Sequence, residues 1–257
     1  MSDHVRVQRE GALVSITLAR PERRNAITVA MYAALANAVE AAAEDQSVRL
    51  VIFRGEGADF AAGNDLADFL EARPGPGEEI AVWRFLRALA QCETPLLAAV
   101  HGNCVGIGTT MLLHCDLVVA EQGTRFSLPF VDLGLVPEAA SSLLLPRLAG
   151  RRLAARYLLL GEAFGGEEAL AIGLVSHRAE TGALESAVRE IADALLAKPA
   201  QALRATQRLL RHGSRDEILE RMRLEGSVFS ERLESAEVKE AISAFFAKRK
   251  PDFSRGG

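Results

Sequence analysis

Two short glycine-bearing runs and one carboxylate carry the chemistry this sequence can do. The first run is Phe60-Ala61-Ala62-Gly63-Asn64-Asp65-Leu66, and the second is His101-Gly102-Asn103-Cys104-Val105-Gly106-Ile107-Gly108. Each follows a strand-like pattern and opens a helix. Backbone N–H groups at a helix start have no intrahelical partner and sit at the positive end of the helix dipole. Two such sites converging on one point make an oxyanion hole. Taken singly, each glycine serves a tight turn, and Asp65 suits an N-cap of the following helix. Neither run is a G-x-G-x-x-G fingerprint. The carboxylate is Glu138, in Leu135-Val136-Pro137-Glu138-Ala139-Ala140-Ser141-Ser142. On its residues alone, Pro137 at a first helical position with Glu138 beside it is an ordinary helix start. His101 and His114 stand alone, without metal-ligand partners, and read as satisfied core or surface groups. Ser141-Ser142 lacks a G-x-S-x-G elbow.

These residues need a scaffold, and the sequence outlines one. The chain has 257 residues, 49% hydrophobic and 25% charged, with a net charge of −4. That balance is globular, the length allows a sizeable core, and the charge does not favour nucleic acid. Cys92, Cys104 and Cys115 form no CxxC pair and fit reduced thiols of a cytoplasmic protein. The N-terminal run has no apolar signal core, and no stretch is long enough to cross a membrane. Strands are expected over 13–18, 48–53, 96–100 and 117–120. Thr28 can N-cap a helix through about residue 43, with Met31, Leu35, Ala38 and Val39 on one face. A loop is expected over 73–77, a helix over 78–91, and a loop over 102–108 feeding a helix to about 114. After Pro137 the pattern turns helical: 141–148, 151–160, 167–172, 184–197, 199–210, 216–233 and 236–248. The class is α/β with a helical C-terminal part. Arg147, Arg151, Arg152 and Arg156 read as a solvated face or a subunit contact.

The sequence resembles the enoyl-CoA hydratase/isomerase (crotonase) family over nearly its whole length. The 60–66 run is similar to the family's first oxyanion loop, and AAVHGNCVGIGTTMLLHCDLVVA (98–120) to its central signature. Residues 126–150 resemble the third conserved block, LGEAFGGEEALAIGLV (160–175) the block after it, and FFAKRKPDF (245–253) the C-terminal tail. The resemblance implies a ββα spiral of the ClpP/crotonase kind with two nearly perpendicular sheets. It also implies a spiral core over 1–190 and a helical trimerisation region over 191–257. The expected partners are an acyl-CoA thioester and further copies in a homotrimer or hexamer, with no nucleic acid and no membrane. Coenzyme A is part of the substrate, and no separate cofactor or metal is implied. Asn64 and Ile107 would donate the two oxyanion N–H groups, and glycine is commoner in the family at the latter position. Ala62, Gly63, Asp65, Leu66, Gly106 and Gly108 would line the thioester loops. Arg24 and Ala26 would flank the loop that cradles the adenine. Phe245 and Lys248 would meet the nucleotide end of a neighbouring subunit. Ala67 stands where some members carry a phosphate-binding lysine.

The family's hydratases use two glutamates to activate one water, and here those positions are Thr110 and Phe130. Neither residue can supply an acid or a base to water. Glu138 instead resembles the base in the Pro-Glu-Gly-x-Ser-Ser block of Δ3,Δ2-enoyl-CoA isomerases. The reading is therefore conversion of 3-enoyl-CoA to trans-2-enoyl-CoA, as in fatty acid metabolism. Glu138 would be the sole acid/base, with no second carboxylate close by, and apolar Phe130, Leu133 and Val136 would raise its pKa. A hydratase, another crotonase-type reaction, or a non-catalytic acyl-CoA or RNA-binding homologue are the alternatives.

Overall fold

The computed structural model describes residues 2–71 and 80–255. The expected 73–77 loop and the first residues of the expected 78–91 helix lie outside them. In chain order the elements are β1 (Val5–Glu10), β2 (Leu13–Leu18), α1 (Val29–Glu44), β3 (Leu50–Gly55), α2 (Leu66–Glu71), α3 (Ala81–Gln91), β4 (Leu96–Val100), β5 (Asn103–Val105), α4 (Ile107–Thr110), β6 (Leu117–Glu121) and β7 (Arg125–Ser127). They continue with α5 (Ser141–Ala149), α6 (Arg151–Leu159), β8 (Phe164–Gly165), α7 (Gly166–Ala171), β9 (His177–Ala179), α8 (Leu184–Leu196), α9 (Ala200–Arg211), α10 (Arg215–Leu233) and α11 (Ala236–Phe246).

A six-stranded sheet, ordered β1-β2-β3-β4-β6-β9, is parallel except for the antiparallel β1–β2 pair. Successive side chains of a strand face opposite sides, and in the inner strands both sides are buried. Ile16, Val51, Phe53, Ala98 and Val118 join the larger core with Met31, Leu35 and Val39 of α1 and Phe85 and Leu89 of α3. Leu13, Leu50, Ile52, Leu97 and Val119 pack on the other side against Leu184, Val188 and Ala192 of α8. This double burial explains the nearly continuous apolar runs of β3, β4 and β6.

Thr28 caps α1 as expected, its Oγ1 accepting from the Met31 N–H at 3.2 Å. The C-terminal helices agree with the sequence to within a few residues, although Pro146 lies inside α5. Three differences matter. The 102–108 segment, expected as loop, contains β5, which pairs with β7 in a second sheet completed by β8. The helix expected through about 114 is α4 followed by a 3-10 turn, Met111–His114. And β1, an almost wholly exposed edge strand, has only Val5 and Val7 in alternation with polar residues, too short a pattern to announce it. No helix among the described residues is long and apolar enough to cross a membrane.

Candidate active site

Three chain segments run side by side to form the floor of the site. Ile27 bridges Asn64, and Ala61 bridges Cys104, both in parallel sense. The bonds are Ile27 N–H to Gly63 O (2.8 Å), Asp65 N–H to Ile27 O (2.9 Å), Ala62 N–H to Arg24 O (2.9 Å) and Val105 N–H to Ala61 O (2.9 Å). The glycine runs touch where they turn. Gly63 has φ +91°, and a Cβ there would lie 3.2 Å from the Val105 carbonyl oxygen. Gly106 has φ +55° and sits directly before α4. Left-handed backbone at close approach is what glycine permits. The Gly106 N–H bonds to Ser127 O of β7 at 2.9 Å, so the second sheet fixes this turn.

Among the described residues, no protein group accepts a hydrogen bond from the N–H of Asn64 or of Ile107. Ile107 is 1% exposed. A buried N–H left without a partner costs free energy, so the Ile107 N–H, with that of half-buried Asn64 on the adjoining turn, is open to an acceptor. The Asn64 side chain is already held, because the buried Tyr32 hydroxyl donates to its Oδ1. Asp65 does what the sequence suggested: its carboxylate accepts from the Asp68 N–H at 3.3 Å and from Arg20 Nη1 at 2.6 Å. Leu66 begins α2, and Gly108 lies inside α4, where a Cβ would meet Ala61 Cβ at 2.9 Å.

Glu138 is 1% exposed. It is not a helix-start residue. The helix α5 begins at Ser141 with Ala140 as its N-cap, and both Ala139 (φ 59°) and Ala140 (φ 56°) are left-handed. Two consecutive left-handed alanines cost about 1–2 kcal/mol each, and neighbouring groups hold them there. His114 Nε2 bonds to the Ala139 carbonyl at 2.8 Å. That oxygen only accepts, so Nε2 carries the proton. Burial pushes His114 down to about 4, which keeps it neutral. The Ser141 hydroxyl donates to Glu138 O at 2.5 Å. Glu225 of α10 accepts from the N–H groups of Ala140 (2.6 Å) and Ser142 (2.9 Å).

Thr110, at the position where hydratases carry an acid, donates its hydroxyl to Glu138 Oε1 at 3.3 Å. Burial, then the charge of Glu225, push the Glu138 carboxyl up to about 8, against the opposing bond from Thr110. The expectation of a single carboxylate thus needs correction. A second one, Glu225, lies within electrostatic reach, but both its oxygens are committed to backbone N–H groups. Burial and the Glu138 charge push the Tyr32 hydroxyl up, so it stays protonated. Phe130 is buried.

Other expected residues are scattered. Arg24 is exposed in the turn before Asn25, whose buried amide donates to the carbonyls of Glu56 and Asp59 and fixes the Arg24–Ala26 loop. Phe245 is exposed at the end of α11 and Lys248 just beyond it, with no hydrogen bond or ion pair to the glycine loops among the described residues. Arg147 pairs with Glu217, and Arg156 with Glu162 and Glu168. Tyr32 and Glu225 were not singled out from sequence, and His114 was set aside. The available signal for Glu225 was an acid on the apolar face Met222–Glu225–Phe229 of α10.

Residues 8–256 match the sequence pattern of the enoyl-CoA hydratase/isomerase family. The chain belongs to that family. This crotonase-type enzyme is 33% identical over 250 residues to the 2,3-dehydroadipyl-CoA hydratase of Escherichia coli K12, spanning 96% of this chain and 97% of that protein. It is 32% identical over 253 residues to enoyl-CoA delta isomerase 2 of Rattus norvegicus, spanning 96% of this chain but 64% of the rat protein. The crystal structure of an enoyl-CoA hydratase/isomerase from Pseudoalteromonas atlantica T6c superposes with a TM-score of 0.93 at 40% identity, covering 98% of this chain and 100% of that one. These likenesses establish the crotonase fold and an acyl-CoA reaction of that type. Because the relatives bear both hydratase and isomerase names, the choice of reaction rests on the site.

The buried Glu138 makes stability depend on pH. An ordinary glutamate titrates near 4.5, and this one titrates at about 8 in the fold. The fold therefore holds the proton more tightly than the unfolded chain does. That contribution is complete below about 4.5 and is lost as pH rises through about 8. Glu138→Gln is neutral throughout. Its melting temperature relative to wild type is expected to rise as pH goes from about 5 to about 9, and scanning calorimetry across that range checks it. A constant difference would mean that Glu138 titrates normally.

Proposed function

We propose that this enzyme moves a double bond, converting a 3-enoyl-CoA thioester to the trans-2-enoyl-CoA with Glu138 as the one acid/base. The carrying observation is the Thr110 hydroxyl on Glu138 Oε1 at 3.3 Å. The position at which a hydratase places one water-activating acid instead holds a donor to the remaining carboxylate. At the other hydratase position, Phe130 offers no group that can take or give a proton.

In this reading the thioester oxygen lies between the N–H groups of Asn64 and Ile107. Ionised Glu138 removes a C2 proton. The electrons of that C–H bond pass into the C1–C2 bond and onto the thioester oxygen, giving a dienolate. Two fixed N–H donors stabilise that oxyanion, each by about 2.7–4 kcal/mol. The same carboxyl then delivers its proton to C4, the double bond settles between C2 and C3, and the carboxylate returns. A carboxyl at about 8 is a stronger base than an ordinary glutamate and holds the proton long enough to return it. Coenzyme A enters and leaves as part of substrate and product, with Arg24 and Ala26 at the adenine end.

Exposed apolar pairs support assembly into the trimer or hexamer implied by the family. Leu159 at the end of α6 and Leu160 just beyond it, Leu209 and Leu210 on α9, and Phe245 and Phe246 on α11 are exposed apolar side chains that subunit contacts would cover. In the same reading, residues 1–190 form the acyl-CoA core and 191–257 the region buried between subunits.

Glu138→Gln is expected to lose at least about 10²-fold in 3-enoyl to 2-enoyl conversion, followed by absorbance, while still binding acyl-CoA. In wild type, kcat/KM should rise with pH through about 8, because the base must be ionised. Hydration of 2-enoyl-CoA should be negligible. Strong hydration by wild type, or full isomerisation by Glu138→Gln, would overturn the assignment. Sedimentation should give a trimer or hexamer, and monomer alone at micromolar concentration would sink the assembly reading.

A further inference from the structure

We propose that Glu225, on helix α10, is a positioning residue for Glu138: by accepting both backbone N–H groups of the turn behind the base, it holds that base in its reacting place. This rests on the reading of Glu138 given above.

The geometry is specific. Glu225 is 6% exposed, and its two oxygens divide between the N–H of Ala140 at 2.6 Å and the N–H of Ser142 at 2.9 Å. The first N–H groups of α5 have no intrahelical acceptor. The N-cap side chain cannot help, since that residue is an alanine. Glu225 does the capping from 85 residues away. Its acceptance from Ala140 also pins a left-handed residue two positions after Glu138. Without the cap, the strained Ala139–Ala140 pair has one fewer reason to stay left-handed, and relaxation would swing the Glu138 side chain. Misplacement by about 1 Å typically costs on the order of 100-fold in rate.

A carboxylate this close also acts through its charge. Other titratable and polar groups lie on the elements packed around this turn. Tyr32 of α1 is coupled to Glu138 through charge, Thr110 of α4 bonds to its carboxylate, neutral His114 of the 3-10 turn bonds to the Ala139 carbonyl, and Arg221 of α10 bonds through Nη1 to Ser142 Oγ at 3.1 Å. Arg211 of α9 stands behind His114, bonded to its carbonyl at 2.7 Å. Of these, Glu225 is the one whose negative charge makes Glu138 harder to ionise. Burial raises the pKa of Glu225 itself, opposed by its bonds to Ser142 and Ala140.

Cap and charge can be separated by two variants. Glu225→Gln keeps one acceptor and removes the charge. Glu225→Asp keeps the charge and shortens the reach. In Glu225→Gln, kcat for isomerisation should fall about 10- to 100-fold with KM within about threefold, and the ascending limb of kcat/KM should move down by roughly one pH unit. In Glu225→Asp, kcat should fall with the limb where it was. A folded Glu225→Gln with unchanged kcat and an unmoved limb would overturn the proposal and leave Glu225 a helix cap only. If Glu225→Gln does not fold, unchanged kcat in Glu225→Asp overturns it. A third readout does not depend on the reaction. Melting temperatures of Glu138→Gln, Glu225→Gln and the double variant, taken across pH, should show that the alkaline gain from Glu138→Gln shrinks once Glu225 is neutral. That coupling would survive even if the isomerase reading failed, and its absence would count against Glu225 alone.

Discussion

The constraint on which the site depends is the burial of one carboxylate. Glu138 has almost no contact with solvent, and an ionised carboxylate in such a place loses its hydration. It resolves the conflict by holding its proton, which makes it a stronger base when ionised. Burial alone would serve badly if the side chain were free to turn toward water. The left-handed Ala139–Ala140 pair prevents this, held by His114 from the central signature and Glu225 from the C-terminal helices. The motif resembled at this place carries glycine where this chain has Ala139. Glycine would adopt the same backbone without strain but with more alternatives to lose, so alanine places more of the task on its neighbours.

A second constraint is the withholding of partners from two N–H groups. Asn64 and Ile107 lie in bridged, hydrogen-bonded segments in which the N–H groups of Ala61, Ala62, Asp65, Val105 and Gly106 are paired. Their own N–H groups are spared because the chain reverses at Gly63 and Gly106, each with positive φ. The reversals are rigid for opposite reasons. Gly63 is crowded by Val105, and Gly106 is tied to Ser127 of β7. The three-stranded sheet β5-β7-β8 therefore has a role out of proportion to its size: it anchors the Gly106 turn that carries the Ile107 N–H.

How much of this was legible follows from how local each interaction is. The Thr28 cap, the buried strands of the main sheet and the C-terminal helices were readable because their signals lie within a few residues of one another. Glu138 and the glycine runs were readable as motifs. The second sheet was not, because strands of two or three residues show no period. The polar edge strand β1 was not, because its place is set by pairing with β2 rather than by burial. Glu138 looked like a helix-start carboxylate, yet α5 starts three residues later. The acid that does cap α5 comes from α10, and no local pattern links residues so far apart.

Distance in sequence also bears on how the chain divides. A spiral core that carries the chemistry and a helical region that carries assembly is a natural reading of the sequence. In the structure the division is less clean. Arg232 donates to the Gly134 carbonyl at 3.1 Å, Gly134 packs against the start of α11, and Glu225 grips the turn behind the base. The third conserved block is thus held between the sheet on one side and α10 and α11 on the other. The proton shuttle proposed above needs a carboxyl in a dry and fixed environment, and the helices supply the fixing. Met222 and Phe229 of α10 also join the larger core that α1 and α3 form on the sheet, so one helix both completes that core and grips the turn at Glu138.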